Sequence, residues 1–314
     1  MKEFRIGATS DKLWNKIELL DFLSKNQFLS IAIRMSPEAI CLKNLGLYDI
    51  LDCFNFEKVN IFTENPLESH SHYNIIIQKD NPWLKKREKI NKDLHIWNTK
   101  KLFFCLFGRP TAARLGIAGH LYKNFKSIAH VHFSAKTDAD NLIQFELDKL
   151  LSYDTASIAT SGEMINQLPL LLSPSDYYTP VNGYYYSDPL TDFYQDTLID
   201  IVVESHVAGN TFYPTEKTTR PIWLKKPFIV FASRNYLDYL HQMGFHTFCK
   251  YWSEDYDGYE GRDRYIKILQ LIDDLAKKSQ CELERMYQDM QTELEHNYSL
   301  LYNQSYQTNI SYIP

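Results

Sequence analysis

Short apolar runs alternate along this chain with stretches in which apolar residues recur every three or four positions, the signals of strands and helices. Residues 4–8, 28–33 and 73–77 read as strands. Residues 12–23 carry Leu13, Ile17, Leu20 and Leu23 at helical spacing, and 45–53 reads as a helix that contains Gly46. The charged segment 80–93 predicts a solvated turn and helix and a joint between domains. A continuous apolar run at 101–107 is the pattern of a strand buried on both faces. After the turn Gly108-Arg109-Pro110-Thr111, Thr111 is placed to cap a helix over 112–125. A strand at 130–133 and a helix at 142–151 follow. Residues 168–192, rich in Pro, Ser, Tyr and Asp, predict a long irregular excursion. Such loops are often lids or binding loops. Tyr177, Tyr178 and Tyr184 to Tyr186 face a ligand there or simply pack the loop down.

The stretch from 200 to 231 is the most informative. The strand Ile201-Val202-Val203 ends in Glu204, a polar loop carries Ala208-Gly209-Asn210, Thr215-Glu216-Lys217-Thr218 opens a helix, and 227–231 is a second strand. This is a βαβ crossover, with its chemistry at the carboxyl end of the first strand, where open α/β sheets bind ligands. Downstream, the pattern predicts a helix at 236–243, a short strand at 247–248, a solvated polar turn at 254–258 and helices at 261–278 and 281–302. The last shows a stripe of Met286, Met290, Leu294, Tyr298 and Leu301. Strands alternating with helices imply parallel sheets flanked by helices. The expected division is an α/β domain at 1–98, a Rossmann-like domain at 99–280 with its excursion near 165–195, and a C-terminal helix and tail at 281–314.

The 314 residues suffice for two domains, and 44% hydrophobic with 23% charged residues fits a globular chain. The net charge of −5 argues against a general nucleic-acid binder. The aromatic content of 14% suits stacking on sugars or bases, and equally a tyrosine-rich core. Five scattered cysteines without a CxxC or zinc spacing point to free thiols, with Cys105 and Cys249 expected buried. The first residues lack a secretory apolar region, and no apolar run approaches the ~20 residues of a membrane span. A cytoplasmic location is the expectation.

Glu216 and Lys217 fall in the first turn of a helix, where free N–H groups and the dipole attract anions. A lysine there adds a point charge for phosphate, and the adjacent carboxylate can accept from a sugar hydroxyl. The alternative is plain capping by Thr215. Arg109 and Arg114 occupy the equivalent turn and helix start after the 101–107 strand, again facing an anion or pairing on the surface. Glu204 ends a strand beside His206, a base or merely a polar loop residue. Metal patterns are weak: His70 and His72 lack a third ligand, Asp255 and Asp257 sit in a turn, and Asp138 and Asp140 open a helix. Neither GxGxxG nor a P-loop occurs.

Glu204, Asn210, Tyr213-Pro214-Thr215-Glu216-Lys217, the strand from Pro227 and the helix start Ala113-Arg114-Leu115 together resemble the fucosyltransferase-like branch of the GT-B glycosyltransferases. The pattern Leu237, Leu240, Gly244-Phe245, Thr247-Phe248, Tyr256-Asp257 and Arg264 is similar to related virus- or bacterium-associated transferases of unassigned substrate. The resemblance covers about residues 100–275. It implies two Rossmann-like domains, with a C-terminal helix packing back on the first. It also implies transfer of a sugar from a nucleotide diphosphate sugar, inverting and without an obligatory metal or other cofactor. Arg109, Arg114, Asn210, Tyr213, Thr215, Glu216 and Lys217 would bind the donor. Lys217 and Arg114 would take the diphosphate and Glu216 the ribose or sugar, and Glu204 and Glu216 would be the catalytic carboxylates. Ser205-His206-Val207 departs from the family's continuation and leaves the donor sugar open. The acceptor, whether glycan, protein, lipid or modified nucleic acid base, is open as well. The alternative is a non-catalytic nucleotide-sugar-binding or interaction protein on a degenerate transferase fold.

Overall fold

The computed structural model describes residues 1–6, 8–9, 12–13, 15–35, 39–78, 81–85, 97–98, 100–134, 140–172, 188–311 and 313. Most of the expected 80–93 helix, Asp138, and the tyrosines from Tyr177 to Tyr186 lie outside them.

In chain order the first unit contains β1 (Lys2–Ile6), β2 (Ala8–Thr9), β3 (Lys12–Leu13), α1 (Lys16–Lys25), β4 (Ser30–Met35), α2 (Leu47–Leu51), β5 (Lys58–Thr63) and β6 (Asn74–Ile77). Strands β1, β4, β5 and β6 form a parallel sheet in that same spatial order. Leu19 and Leu23 of α1 and Leu47 and Leu51 of α2 are buried in its core with Ile31, Ile33 and Ile61. Each such side chain contributes roughly 1.5–3 kcal/mol over leaving it in water.

The second unit holds β7 (Lys101–Phe107), α3 (Ala112–Asn124), β8 (Ala129–Phe133), α4 (Asp140–Tyr153), α5 (Thr155–Ile165), α6 (Asp188–Asp196), β9 (Thr197–Val203), α7 (Glu216–Trp223), β10 (Phe228–Phe231), α8 (Tyr236–Gln242), α9 (Gly261–Ala276), α10 (Gln280–Asp289) and α11 (Gln291–Tyr302). Its sheet is also parallel, but its order is β10-β9-β7-β8. All seven residues of β9 are buried, as a central parallel strand covered on both faces must be. Two four-stranded parallel sheets flanked by helices make a mixed α/β protein compatible with a two-domain Rossmann-like arrangement.

Several elements depart from the pattern-based reading. Strand β5 was not expected, because Lys58 and Asn60 interrupt its apolar positions. Asn60 is buried and its Oδ1 accepts from Asn74 Nδ2 of β6 at 2.7 Å. Helix α5 was missed in a Ser/Thr/Gly-rich stretch. It is started by Asp154, whose carboxylate accepts from the backbone of Ala156 and Ser157. Its Ser161 packs so closely on Gly119 of α3 that a Cβ there would lie 2.7 Å from the Ser161 Cα. Helix α6 replaces the end of the expected irregular excursion. Tyr194 holds it down by donating to Asp200 and receiving from Arg220 Nε at 2.5 Å. Burial alone would lower the Arg220 pKa, but Tyr194 and Asp200 beside it outweigh that and keep it charged.

No strand forms at 247–248: the Phe248 N–H donates to Glu254 Oε1 at 2.8 Å instead of to a ladder. Residues 255–258 are not a solvated turn but a single 3₁₀ turn in which Asp257 is buried against Arg264, Oδ1 to Nη2 2.8 Å. The helix expected at 281–302 is two helices meeting at Met290. They do not pack on the first sheet: Met290, Leu294 and Leu301 belong to the second core, with Tyr298 edge-on to Trp223 of α7. The tail beyond α11 reaches residues 82–84, where Tyr306 Oη donates to Leu84 O at 3.1 Å. Cys105 is buried, but Cys249 is exposed. No helix among the described residues is long and apolar enough to cross a membrane.

Candidate functional site

Strand order makes the site. From β7 the chain crosses through α3 to β8 on one side; from β9 it crosses through α7 to β10 on the other. Strands β7 and β9 are neighbours, with Phe103 beside Ile199. Their departing loops therefore diverge and leave a crevice at the carboxyl edge, the topological switch point where open α/β sheets hold ligands.

Two helix starts border the crevice. Thr111 caps α3 by accepting from Arg114 N at 3.4 Å, and Thr215 caps α7 by accepting from Lys217 N at 3.2 Å. Beyond that the two differ. Arg114 is turned inward: Nη1 donates to Arg109 O at 3.0 Å and Nη2 to Val203 O at 2.9 Å. Its guanidinium stitches the β7 turn to the end of β9 beneath the crevice, so the anion-facing placement expected of it does not hold. Arg109 itself is exposed at the turn.

Lys217 stays at the surface of the crevice. Its Nζ lies 2.5 Å from Glu216 Oε1, 3.2 Å from Ser205 Oγ and 3.4 Å from Thr215 Oγ1. Both members of the pair keep part of their side chains in solvent, 19% for Lys217 and 15% for Glu216. Ser205 is the member of this group that pattern reasoning missed, and only its place one residue after the strand's acid could have flagged it.

Glu204 is 2% exposed. Its carboxylate accepts from Thr215 N at 3.1 Å, Thr215 Oγ1 at 2.6 Å, Thr218 Oγ1 at 2.6 Å and Tyr236 Oη at 3.1 Å. Burial, and next the Glu204 charge, raise the Tyr236 pKa and keep its phenol a donor. With three donors on Oε1 and one on Oε2, Glu204 holds the loop and the α7 start in place. His206 beside it is buried.

Asn210 and Tyr213 lie along the loop against the first unit. Two Asn-Pro turns of that unit hold the loop. In each, the asparagine Oδ1 accepts from the N–H two residues on, Leu67 at 3.2 Å and Trp83 at 2.9 Å. This leaves the amide nitrogens for the loop: Asn65 Nδ2 donates to Asn210 O at 2.7 Å and Asn81 Nδ2 to Pro214 O at 3.0 Å. Thr211 Oγ1 donates to Ala39 O. Gly209, with φ +75°, lies so close to Asn44 that a Cβ would come within 2.3 Å of its amide nitrogen. The Asn65-Pro66 and Asn81-Pro82 dipeptides were the sequence signal for these pins.

Among the described residues no three His, Cys, Asp or Glu side chains gather as a metal-holding group. His70 instead packs on both Tyr48 and Tyr73, with ring centroids at 4.2 and 4.7 Å. No protein-family model matches the chain, and no curated protein is significantly similar to it.

Proposed function

We propose that this protein is a glycosyltransferase that takes a sugar from a nucleotide diphosphate sugar, with the donor diphosphate at the start of α7. The Glu216–Lys217 pair carries the reading: a lysine and a carboxylate, part-exposed, at a helix N-terminus on the switch-point crevice. A diphosphate arriving there competes for the Lys217 ammonium, and the backbone N–H groups of the α7 first turn add their own attraction. Glu216, released from Lys217, is then free to accept from a ribose or sugar hydroxyl. Exposed Arg109 supplies a second cation at the crevice edge. Charge that builds on the leaving diphosphate is met by groups already in place, the kind of stabilisation worth about 3 kcal/mol per donor in other enzymes. This chemistry needs no metal, and inversion follows from the transferase resemblance. Arg114 and Glu204 act as positioning residues, holding the strand end and the loop that carry the contact groups.

The test is calorimetric titration with GDP-, UDP- and TDP-sugars. One donor series should bind, and Lys217→Ala should weaken it about tenfold, or ~1.4 kcal/mol. If no nucleotide sugar binds, or if Lys217→Ala and Glu216→Ala leave both binding and sugar release unchanged, the assignment fails. One observation favours a second reading, binding without transfer: Glu204 and Arg114 are both engaged internally. Donor that binds but releases no nucleoside diphosphate, with any acceptor offered, would select it.

A further inference from the structure

A cavity of about 460 Å³ lies at the seam between the first unit, the loop ahead of α7 and the C-terminal tail. That is within the ~300–1,000 Å³ of ordinary small-molecule sites. Five side-chain amides line it: Gln78, Asn81, Gln304, Gln307 and Asn309. Phe212, Tyr213 and Tyr306 supply aromatic surface. The charged lining residues are Glu64 and Lys85, of opposite sign. The tail wall is fastened at both ends. Tyr306 Oη reaches Leu84 O at 3.1 Å, the Gln307 N–H donates to Met243 O at 2.9 Å, and the Ile313 N–H donates to Tyr239 Oη at 3.2 Å.

The composition selects a ligand class. A phosphorylated or carboxylated ligand needs a net cationic lining, which Glu64 and Lys85 together do not provide. A lipid chain would leave the amides unpaired, at about 1–3 kcal/mol for each buried polar group. Amides both donate and accept, as hydroxyls do, and aromatic rings cover the C–H faces of pyranose rings. Asn81 already spends one N–H on Pro214, whereas Gln78 and Gln307 have no side-chain hydrogen bond to the described residues. Tyr213 and Pro214 in the cavity wall run directly into Thr215-Glu216-Lys217, so the two places are joined by a short run of chain.

We propose that this cavity binds a short neutral oligosaccharide. Its place as the acceptor site rests on the transferase reading; the binding itself does not. The test is saturation-transfer NMR on the full chain without nucleotide, using maltotriose, cellotriose, mannotriose and triacetylchitotriose, with trialanine as a peptide control. At least one saccharide should show transfer, and trialanine none. The exposed substitution Gln307→Ala and the rim substitution Gln78→Ala should together weaken binding about tenfold. Lys217→Ala should leave saccharide binding unchanged. Unchanged melting temperature and nucleotide binding certify that the double variant is folded. The proposal is overturned if none of the four saccharides binds, if the double variant binds as well as the parent, or if trialanine displaces the sugar. Nucleotide binding without saccharide binding sinks this proposal alone; the reverse sinks the donor assignment alone.

Discussion

The β7–α3 and β9–α7 units share a layout: an apolar strand, a connection that is a short turn in the first and a longer loop in the second, a threonine cap and a cation within the first helical turn. They flank one crevice, yet they spend the cation differently. Arg114 is 5% exposed and consumed by backbone carbonyls, whereas Lys217 keeps contact with solvent and, among the described residues, holds a neighbouring carboxylate and hydroxyls. A forked guanidinium suits stitching two carbonyls at once, while an ammonium is a mobile point charge. The difference teaches that the anion-ready motif fixes where a cation stands but not which way it turns.

That contrast can be broken by mutation. Arg114→Ala should cost about 3 kcal/mol of unfolding free energy, because at least two buried carbonyls lose their donor. Lys217→Ala should change stability by less than about 0.5 kcal/mol. Urea titration of both variants measures the pair; equal losses would erase the distinction between a structural and a contact cation.

A third cation, Lys226, sharpens the scale between these two. It precedes β10, is 1% exposed, and its Nζ lies 5.4 Å from the Tyr287 ring with no hydrogen bond among the described residues. Burial pushes its pKa down from 10.5 to about 7, only partly offset by Asp196. Between those values the unfolded chain holds the proton and the folded chain does not, so stability should rise with pH from about 7 to 10.5. Below the folded pKa the cost is fully present. Lys226→Met should therefore stabilise the protein by a few kcal/mol near pH 7 and flatten the rise. Thermal melts between pH 6.5 and 10 measure both effects; a parallel pH profile in the variant would refute the assignment.

The strands at 101–107 and around 201–203, and both threonine caps, were legible because uninterrupted apolar runs and Thr at a boundary are local signals. Helix α6 was not, since Tyr194 is held by Asp200 and Arg220 and composition alone reads as loop. Strand β5 was hidden by Asn60, a polar residue whose partner, Asn74, arrives from the next strand. Within the site, Thr215, Glu216 and Lys217 could be found from spacing. The inward turn of Arg114 could not, because the β9 carbonyl that draws it in, Val203 O, lies 89 residues away in the chain. Nor could the four donors on Glu204, of which Tyr236 comes from beyond the next strand.

The two Asn-Pro turns make the loop between β9 and α7 the property of both halves of the molecule. Asn65 and Asn81 belong to one sheet's end and grip a segment that begins and ends in the other. A ligand that binds better with the loop gripped must tighten that grip, and by reciprocity the grip must tighten the ligand by the same factor. The seam and the α7 start thus behave as the two pans of one balance. The affinity measured at Lys217 carries within it the free energy of a joint made by two asparagines that stand outside the α7 start.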